Sequence, residues 1–356
     1  MTVRILQGDA LEVLRTIPSG TAHCCVTSPP YWGLRDYGVE GQFGLEKTPE
    51  EYVEKMVAVF DGVRRVLRDD GTLWLNIGDC YSQDTKWGGS SSNKNETKQG
   101  YARKRSPCRS SGCKPKDLVG IPWMLAFALR ADGWYLRSEI IWHKPNPMPE
   151  SVRDRPTNAN EKVFLFAKSR KYFYDMDAIR LPPSGISGGA CFGGPMKEEK
   201  AAAVLGSALR QQQRAATKED CERYATMGAN ARNVWTISTH AFPGAHFATF
   251  PPKLAENCIK AGTSQAGCCP RCNTPWNRSD EKTPIWRHGF NTSCNCNAGD
   301  PIPCVVLDLF GGAGTTGLVA DRLGRDAILI ELNPKYADMA RKRITDDAGM
   351  FACVET

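Results

Sequence analysis

The strongest constraint on the fold lies near the end of the chain, where an apolar strand runs into a glycine-rich turn. Residues 304–310 read Cys-Val-Val-Leu-Asp-Leu-Phe, and the glycine-rich segment 311–317 opens a helix that ends at Gly324. A second apolar strand, 327–331, ends in a glutamate. Strand, tight turn, helix and strand form a βαβ unit, which requires two parallel strands. The sequence therefore predicts an α/β fold.

Most of the chain alternates in the same way between apolar runs with strand spacing and apolar stripes with helical spacing. One helix has clear signals: Thr48 as its N-cap, Pro49 at the first helical position and Gly71 as its stop. This alternation predicts a doubly wound, mostly parallel sheet. Further strands are predicted at 3–6, up to Val26, and at 72–77, 134–142 and 161–167, and further helices up to about residue 16 and at 117–131 and 336–344.

A stiff proline turn follows the second predicted strand. The hexapeptide 27–32, Thr-Ser-Pro-Pro-Tyr-Trp, comes directly after Cys-Cys-Val. Two prolines give no N–H to a sheet and fix an extended backbone, so the strand ends there and the turn is rigid. Serine, peptide carbonyls and aromatic rings at one point suit a flat polar ring, although a structural turn with core aromatics is the alternative. Ser28, Pro29, Pro30, Tyr31 and Trp32 are therefore candidates for a binding or catalytic site.

The glycine turn predicts a nucleotide-type ligand. Gly312, Gly314 and Gly317 follow the G-x-G-x-x-G spacing, and Glu331 lies where a ribose-binding carboxylate belongs. Too few residues follow this turn to build the second half-fold of a dinucleotide enzyme. Asp308 would also repel a pyrophosphate, whereas it suits a cationic ligand.

Together these motifs resemble those of S-adenosylmethionine-dependent DNA amino-methyltransferases of the permuted, beta-type order, in which the catalytic motif precedes the cofactor motif. The matching stretches are 28–32 and 308–316, and Leu309 stands where the family usually has proline. The resemblance implies a circularly permuted, seven-stranded Rossmann-like methyltransferase sheet. It also implies the cofactor-binding residues Asp9, Ala10, Thr27, Phe250, Asp308, Phe310, Gly312, Gly314, Thr315, Thr316, Glu331 and Asn333.

The resemblance implies methyl transfer to the exocyclic amino group of a flipped base. Ser28 and the Pro29 carbonyl would accept the amino hydrogens while Tyr31 or Trp32 stacks on the base. Serine at the first position resembles the cytosine-N4 subset, and adenine N6 stays open. An RNA or small-molecule N-methyltransferase and a non-enzymatic, zinc-dependent DNA-binding protein are the alternatives. Carbon-5 methylation would need a Pro-Cys nucleophile, and neither 107–108 nor 303–304 is suitably placed.

The resemblance implies double-stranded DNA as the partner, and the basic charge of the chain is one feature that would suit its phosphates. The whole chain has a net charge of +7, and residues 82–116 alone hold nine basic residues against two acidic ones. Such a tract binds phosphate or is a solvated, disordered segment. By resemblance, the loop 144–155 lies beside the target base, and 181–244 forms a small target-recognition region. The predicted DNA-binding residues are Arg103, Lys104, Arg105, Lys144, Asn146, Ser151, Arg153 and Arg155.

Two close cysteine pairs predict a structural zinc site in a zinc-ribbon-like insertion. Cys269 and Cys272 form a C-x-x-C knuckle, and Cys294 and Cys296 form a second pair. Cys268 is a possible competing ligand, and reduced, unligated thiols are the alternative. With fifteen cysteines, no export signal and no membrane span, the expected location is the cytoplasm of a bacterium or a phage host.

These features divide the chain into five predicted segments, with the oligomeric state left open. The catalytic half spans 1–180 and includes the basic insertion, and the cofactor-binding half spans 301–356. Between them lie the recognition region, a cofactor-closing segment at 245–262 and the zinc-binding insertion at 263–300.

Overall fold

The structure is a computed structural model that describes residues 1–34, 36–82, 112–181, 229–240, 249–278, 290–292, 294–349 and 353–355. Arg103, Lys104 and Arg105 lie outside the described residues, as do most of the basic insertion and most of the recognition region.

The described residues form a large sheet, a two-stranded hairpin and six α-helices. The sheet strands are β1 (Thr2–Gln7), β2 (Ala22–Thr27), β3 (Leu67–Ile77), β4 (Tyr135–His143), β5 (Asn160–Ala167), β6 (Val234–Thr236), β9 (Val305–Asp308), β10 (Asp326–Glu331) and β11 (Cys353–Glu355), and the hairpin pairs β7 (Trp276–Arg278) with β8 (Phe290–Thr292). The helices are α1 (Ala10–Thr16), α2 (Pro49–Val66), α3 (Ile121–Ala131), α4 (Pro252–Gly262), α5 (Thr315–Arg322) and α6 (Pro334–Ala348).

The predicted mostly parallel sheet is confirmed. Its order is β11-β1-β10-β9-β2-β3-β5-β4-β6, and among these strands only β5 runs antiparallel to its neighbours. Within the described chain the sheet has nine strands rather than seven, because the three-residue strands β11 and β6 extend its two edges. Both ends of the chain therefore meet at β1, which pairs with β10 and β11.

Some observed helix boundaries differ from the predicted ones, since α3 begins at Ile121 rather than at residue 117 and α6 extends to Ala348 rather than to residue 344. The predicted stop of α2 at Gly71 is wrong. Helix α2 ends at Val66, and Gly71 lies inside β3 rather than stopping the helix. Pairing with β2 extends the strand back to Leu67, because Ala22 and Leu67 are partners. Gly71 allows close backbone packing there, since a Cβ atom on it would lie 3.2 Å from the His23 carbonyl oxygen. Tertiary pairing thus overrides the local stop signal.

Hydrophobic cores cover both faces of the sheet. Successive residues of β3 alternate between them, with Leu73 and Leu75 in the α1–α3 core and Trp74 in the α4–α6 core. This double layer leaves the ends of the parallel strands as the places for a site. None of the helices in the described ranges combines the length and the hydrophobicity that a membrane span requires.

Candidate active site

Four neighbouring parallel strands bring the two predicted motifs to one edge of the sheet. The strands β1, β10, β9 and β2 lie side by side, and their carboxyl ends carry Asp9, Glu331, Asp308 and Ser28 respectively. A hydrogen bond of 3.0 Å from the Gly8 amide to the Glu331 carbonyl ties the first two ends together. Along the carboxyl ends of these strands, β1, β10 and β9 thus carry acidic residues and β2 carries the proline turn.

Asp308 joins the proline turn directly to the glycine turn. Its carboxylate accepts hydrogen bonds from the Thr27 hydroxyl at 2.7 Å, the Thr316 hydroxyl at 2.6 Å and the Phe310 amide at 3.1 Å. The Asp308 side chain is 1% exposed, and this burial raises the pKa of its carboxyl, against the opposing effect of those three hydrogen bonds. The buried Asp308 carboxyl therefore ties the end of β2 to the turn that follows β9.

This carboxylate makes stability depend on pH in a predictable direction. Because the folded-state pKa of Asp308 is raised, folding binds its proton more tightly than the unfolded chain does. Its contribution to the free energy of unfolding is therefore fully present below the unfolded pKa and declines as pH rises through the raised folded pKa. We expect Asp308→Asn, which cannot ionise, to lose less stability than the wild type as pH rises from about 4. Urea midpoints measured along that pH series check this, and parallel profiles would contradict it.

The glycine turn has the backbone that its sequence requires. Gly312 and Gly314 have φ values of 51° and 74°, in the left-handed region that favours glycine. Gly314 also lies close to α6, because a Cβ atom there would be 2.8 Å from the Ala340 Cβ. Any side chain at position 314 would therefore push α6 away from the turn.

Glu331 fastens the glycine turn to the end of β10. Its carboxylate accepts from the Gly312 amide at 2.7 Å and from the Asn333 amide at 2.8 Å, one on each oxygen. A carboxylate has about four acceptor sites, so Glu331 can still accept from a ribose hydroxyl. Burial raises the pKa of the Glu331 carboxyl. The turn and its acidic neighbour therefore fit the ribose of a nucleoside.

Other predicted cofactor residues serve local structure in the described contacts. Asp9 caps α1 by accepting from two of its amides, Asn333 caps α6, and the Thr315 hydroxyl accepts from Arg343 at 2.9 Å. Ala10 is buried in the first turn of α1, and Phe250 is half-buried against the α4–α6 core.

The two aromatic rings of the predicted catalytic turn, residues 27–32, have different environments. Trp32 is only 4% exposed, and its ring N–H donates to the Glu46 carbonyl at 3.0 Å, so in this conformation the ring is in the core and not free to stack on a base. The Pro30 carbonyl accepts from the Tyr52 hydroxyl at 3.0 Å, and Pro29 is buried. Ser28 and Tyr31 remain half-buried at the edge. Tyr31 is therefore the more exposed of the two rings.

Sequence reasoning missed a polar network behind Tyr31. The Tyr31 hydroxyl donates to the Glu161 Oε2 atom at 2.7 Å, the Asn76 amide donates to the same oxygen at 3.2 Å, and Lys144 forms an ion pair with Oε1. Burial first, and then the negative charge of Glu161, raise the pKa of the Tyr31 phenol well above its usual value. Asn76, a lone amide inside an apolar strand, was the available signal for this network.

Tyr31 also packs closely against the end of β3. A Cβ atom on Gly78 would lie 2.6 Å from the Tyr31 ring, so the position needs a glycine for steric reasons. Farther along the same loop, Phe43 meets Phe310 edge to face at 5.9 Å and Tyr37 meets Tyr336 at 6.4 Å. The loop after this turn therefore also contacts the predicted cofactor-binding half.

The predicted DNA loop 144–155 begins at the same edge, at the end of β4. Asn146 exchanges hydrogen bonds of 3.0 Å with the Thr239 hydroxyl and amide, which links the loop to the described end of the recognition region. Arg155 lies 3.9 Å over the Tyr81 ring and pairs with Glu150. Ser151 and Arg153 are exposed.

The four predicted metal ligands come together away from this edge. The sulfur atoms of Cys269, Cys272, Cys294 and Cys296 all lie within 4.8 Å of one another. Four thiolates around one tetrahedral Zn²⁺ with bonds of about 2.3 Å have sulfur atoms roughly 4 Å apart, so the cluster fits that ion.

Hydrogen bonds attach this cysteine cluster to the amino edge of the sheet. His23, near the start of β2, donates from Nε2 to the Asn273 carbonyl at 2.8 Å, and Arg68, near the start of β3, donates to the Cys272 carbonyl at 2.7 Å.

The other nitrogen of His23 accepts from the Val305 amide at 3.1 Å. Although His23 also lies near the sulfurs of Cys268 and Cys304, its two nitrogens are thus already engaged. The group of His23, Cys268 and Cys304 is therefore interpreted as a contact between the cysteine-rich segment and the sheet, and not as a second metal site.

The comparisons with known proteins agree with this geometry. The DNA methylase family, of N6/N4 type, matches residues 22–342. The chain is 43% identical to the type II methyltransferase M.XycI of Xanthomonas campestris pv. cyanopsidis and 40% identical to M.SmaI of Serratia marcescens, covering 96% of this chain and 87% and 90% of those proteins.

Solved structures share the fold. The PvuII DNA methyltransferase, titled cytosine-N4-specific, aligns over 100% of this chain and 95% of its own with a TM-score of 0.55 and 18% identity. A Thermus thermophilus protein in complex with S-adenosyl-L-methionine aligns over 99% of both chains with a TM-score of 0.51 and 23% identity. With the two motifs joined at one sheet edge, these matches place the chain in the N4/N6 amino-methyltransferase family of DNA methylases.

Proposed function

We propose that this S-adenosylmethionine-dependent DNA methyltransferase modifies the exocyclic amino group of cytosine, at N4, within a specific duplex sequence. The observation that carries the proposal is the 2.7 Å hydrogen bond between Thr27 and Asp308, because it holds Ser28 beside the glycine turn. Serine at position 28 favours cytosine over adenine by resemblance. The M.XycI and M.SmaI relatives are type II methyltransferases, which supports a role in a restriction-modification system.

The sheet order supports the permuted arrangement of the fold. Strand β1 pairs with β10 and β11, so the two chain ends lie side by side where an unpermuted chain would be continuous. The catalytic turn consequently comes early in the sequence and the cofactor turn late.

S-adenosylmethionine, when bound, supplies an electrophilic methyl group on a cationic sulfur. Glu331 and the Gly312 and Gly314 backbone would hold its nucleoside part, while the negative charge of Asp308 favours a cation nearby. Ser28 and the Pro29 carbonyl would accept the hydrogens of the target amine, whose lone pair is otherwise delocalised into the base. Tyr31 would stack on the flipped base. Placement of the amine then supplies most of the rate enhancement.

The DNA-binding surface would lie along the carboxyl edge of the sheet. The loop with Lys144, Asn146, Ser151, Arg153 and Arg155 leaves the sheet beside Ser28 and Tyr31, and Arg153 is exposed. Arg103, Lys104 and Arg105 would add phosphate contacts. This charge predicts duplex binding that weakens steeply with salt.

Methyl transfer from tritiated S-adenosylmethionine tests the function. We expect label in duplex DNA and N4-methylcytosine in its digested nucleosides, with mapping by sequencing giving the recognition sequence. N6-methyladenine would contradict the base assignment alone. Label in RNA or a small molecule, with none in DNA, would contradict the function.

We also propose a structural zinc ion on the four clustered cysteines. The support is the fit of their sulfur atoms to a tetrahedral site, together with the hydrogen bonds from His23 and Arg68 to the same segment. Because the cluster lies at the edge opposite the catalytic turn, the ion would serve folding and not methyl transfer.

A further inference from the structure

The polar groups around Tyr31 have few hydrogen-bond donors. The direction of each hydrogen bond between them can therefore be assigned. The Glu161 carboxylate is paired with the Lys144 ammonium and can only accept. The Tyr31 hydroxyl has one hydrogen to give, and the Glu161 Oε2 atom is 2.7 Å away, whereas the Asn76 Oδ1 atom is 3.4 Å away. That hydrogen therefore goes to Glu161.

The amide of Asn76 reinforces this direction. Its nitrogen donates to Glu161 Oε2 at 3.2 Å and to the Lys162 carbonyl at 3.2 Å, so its hydrogens are committed on that side. With its own hydrogen given to Glu161, the Tyr31 oxygen presents lone pairs to its remaining neighbours.

Ser28 is one of those neighbours. Its hydroxyl oxygen lies 3.5 Å from the Tyr31 oxygen, with Ser28 as the donor. This separation is long for a full-strength hydrogen bond, but an acceptor at that position still orients the hydroxyl hydrogen inward. The lone pairs of the Ser28 oxygen then face away from Tyr31.

We propose that Glu161 is a positioning residue that makes Ser28 a hydrogen-bond acceptor for the target amine. A free serine hydroxyl can donate or accept, and a hydrogen aimed at the amino group would oppose its binding. The order Ser28 to Tyr31 to Glu161 removes that ambiguity, and Lys144 balances the charge. An aspartate accepts by itself, so a serine in its place needs such a network. This inference rests on the proposed amino-methyl transfer.

A mutant cycle tests the order of action. We expect Glu161→Gln and Tyr31→Phe each to lower kcat for DNA methylation by roughly 10- to 100-fold, because glutamine also donates and phenylalanine breaks the chain. If both act through Ser28, Glu161→Gln should cost less than about threefold in a Ser28→Ala background. The KM for DNA, the affinity for S-adenosylmethionine and the Tm should stay near the wild-type values.

Glu139→Gln is the matched control. Glu139 lies on the adjacent strand β4 and forms a comparable ion pair with Lys162 of β5 at 2.8 Å. The Glu139→Gln variant should keep the wild-type kcat. If Glu161→Gln fails to fold, Tyr31→Phe replaces it in the cycle. Tyr31→Phe should then likewise have little further effect on kcat in the Ser28→Ala background. If the wild type is active and the kcat losses of the single variants multiply in the double variant, this inference alone is overturned. A fully active Glu161→Gln variant would have the same consequence. A wild type that transfers no methyl group to any amine would overturn the proposed function itself.

Discussion

Replacing Ser28 with alanine is expected to lower kcat for methyl transfer by about 10²- to 10³-fold, the usual loss when one preorganised polar group at a reacting centre is removed. The target amine would lose its acceptor at the end of β2, while the cradle formed by Gly312, Gly314 and Glu331 is untouched. Binding of S-adenosylmethionine, measured by calorimetry, should therefore stay at the wild-type affinity. Tritium transfer to duplex DNA under saturating conditions measures kcat.

Ser138→Ala is a suitable control for this variant. Ser138 is also half-buried on the same sheet, but its hydroxyl donates to the Glu139 carbonyl at 3.3 Å, within β4 and outside the proposed site. This variant should keep the wild-type kcat. If Ser28→Ala retained wild-type kcat, the catalytic role of the proline turn would be wrong.

Removing zinc is expected to cause the largest loss of stability. The purified protein should contain one zinc ion per chain, and a strong chelator should lower its Tm by roughly 10 °C or more, because metal binding to a structural site is coupled to folding. The attached contacts, from His23 to the Asn273 carbonyl and from Arg68 to the Cys272 carbonyl, would transmit this loss to β2 and β3. Elemental analysis and thermal unfolding with and without chelator measure both effects.

Cysteine variants separate this effect from general thiol chemistry. Cys272→Ser should lose both the metal and the stability, whereas Cys353→Ser, an exposed cysteine outside the cluster, should lose neither. A metal-free wild-type protein with an unchanged Tm in chelator would contradict the zinc site.

Local chemistry was enough to predict the strands and turns that build the site. Prolines that cannot join a sheet fixed the end of β2, and glycines with φ of 51° and 74° fixed the turn after β9. Alternating periodicities predicted a parallel sheet, and such a sheet collects the carboxyl ends of its strands at one edge. Ser28 and Asp308 could therefore be expected to meet from the sequence alone.

Contacts between distant residues decided the rest. Gly71 resembles a helix stop, but pairing of β3 with β2 placed it inside a strand. Trp32 resembles a stacking residue, but the Glu46 carbonyl holds it in the core. Such outcomes depend on partners that no local pattern identifies.

The fold class, both motifs and the cysteine pairs could be predicted from residue types, because each depends on short spacings along the chain. The antiparallel direction of β5, in contrast, became evident from the folded chain. This direction brings Glu161, at the amino end of its strand, to the edge where the parallel strands end, within 2.7 Å of the Tyr31 hydroxyl. Strand direction follows from how the whole chain packs, and a strand of apolar residues looks the same in either orientation.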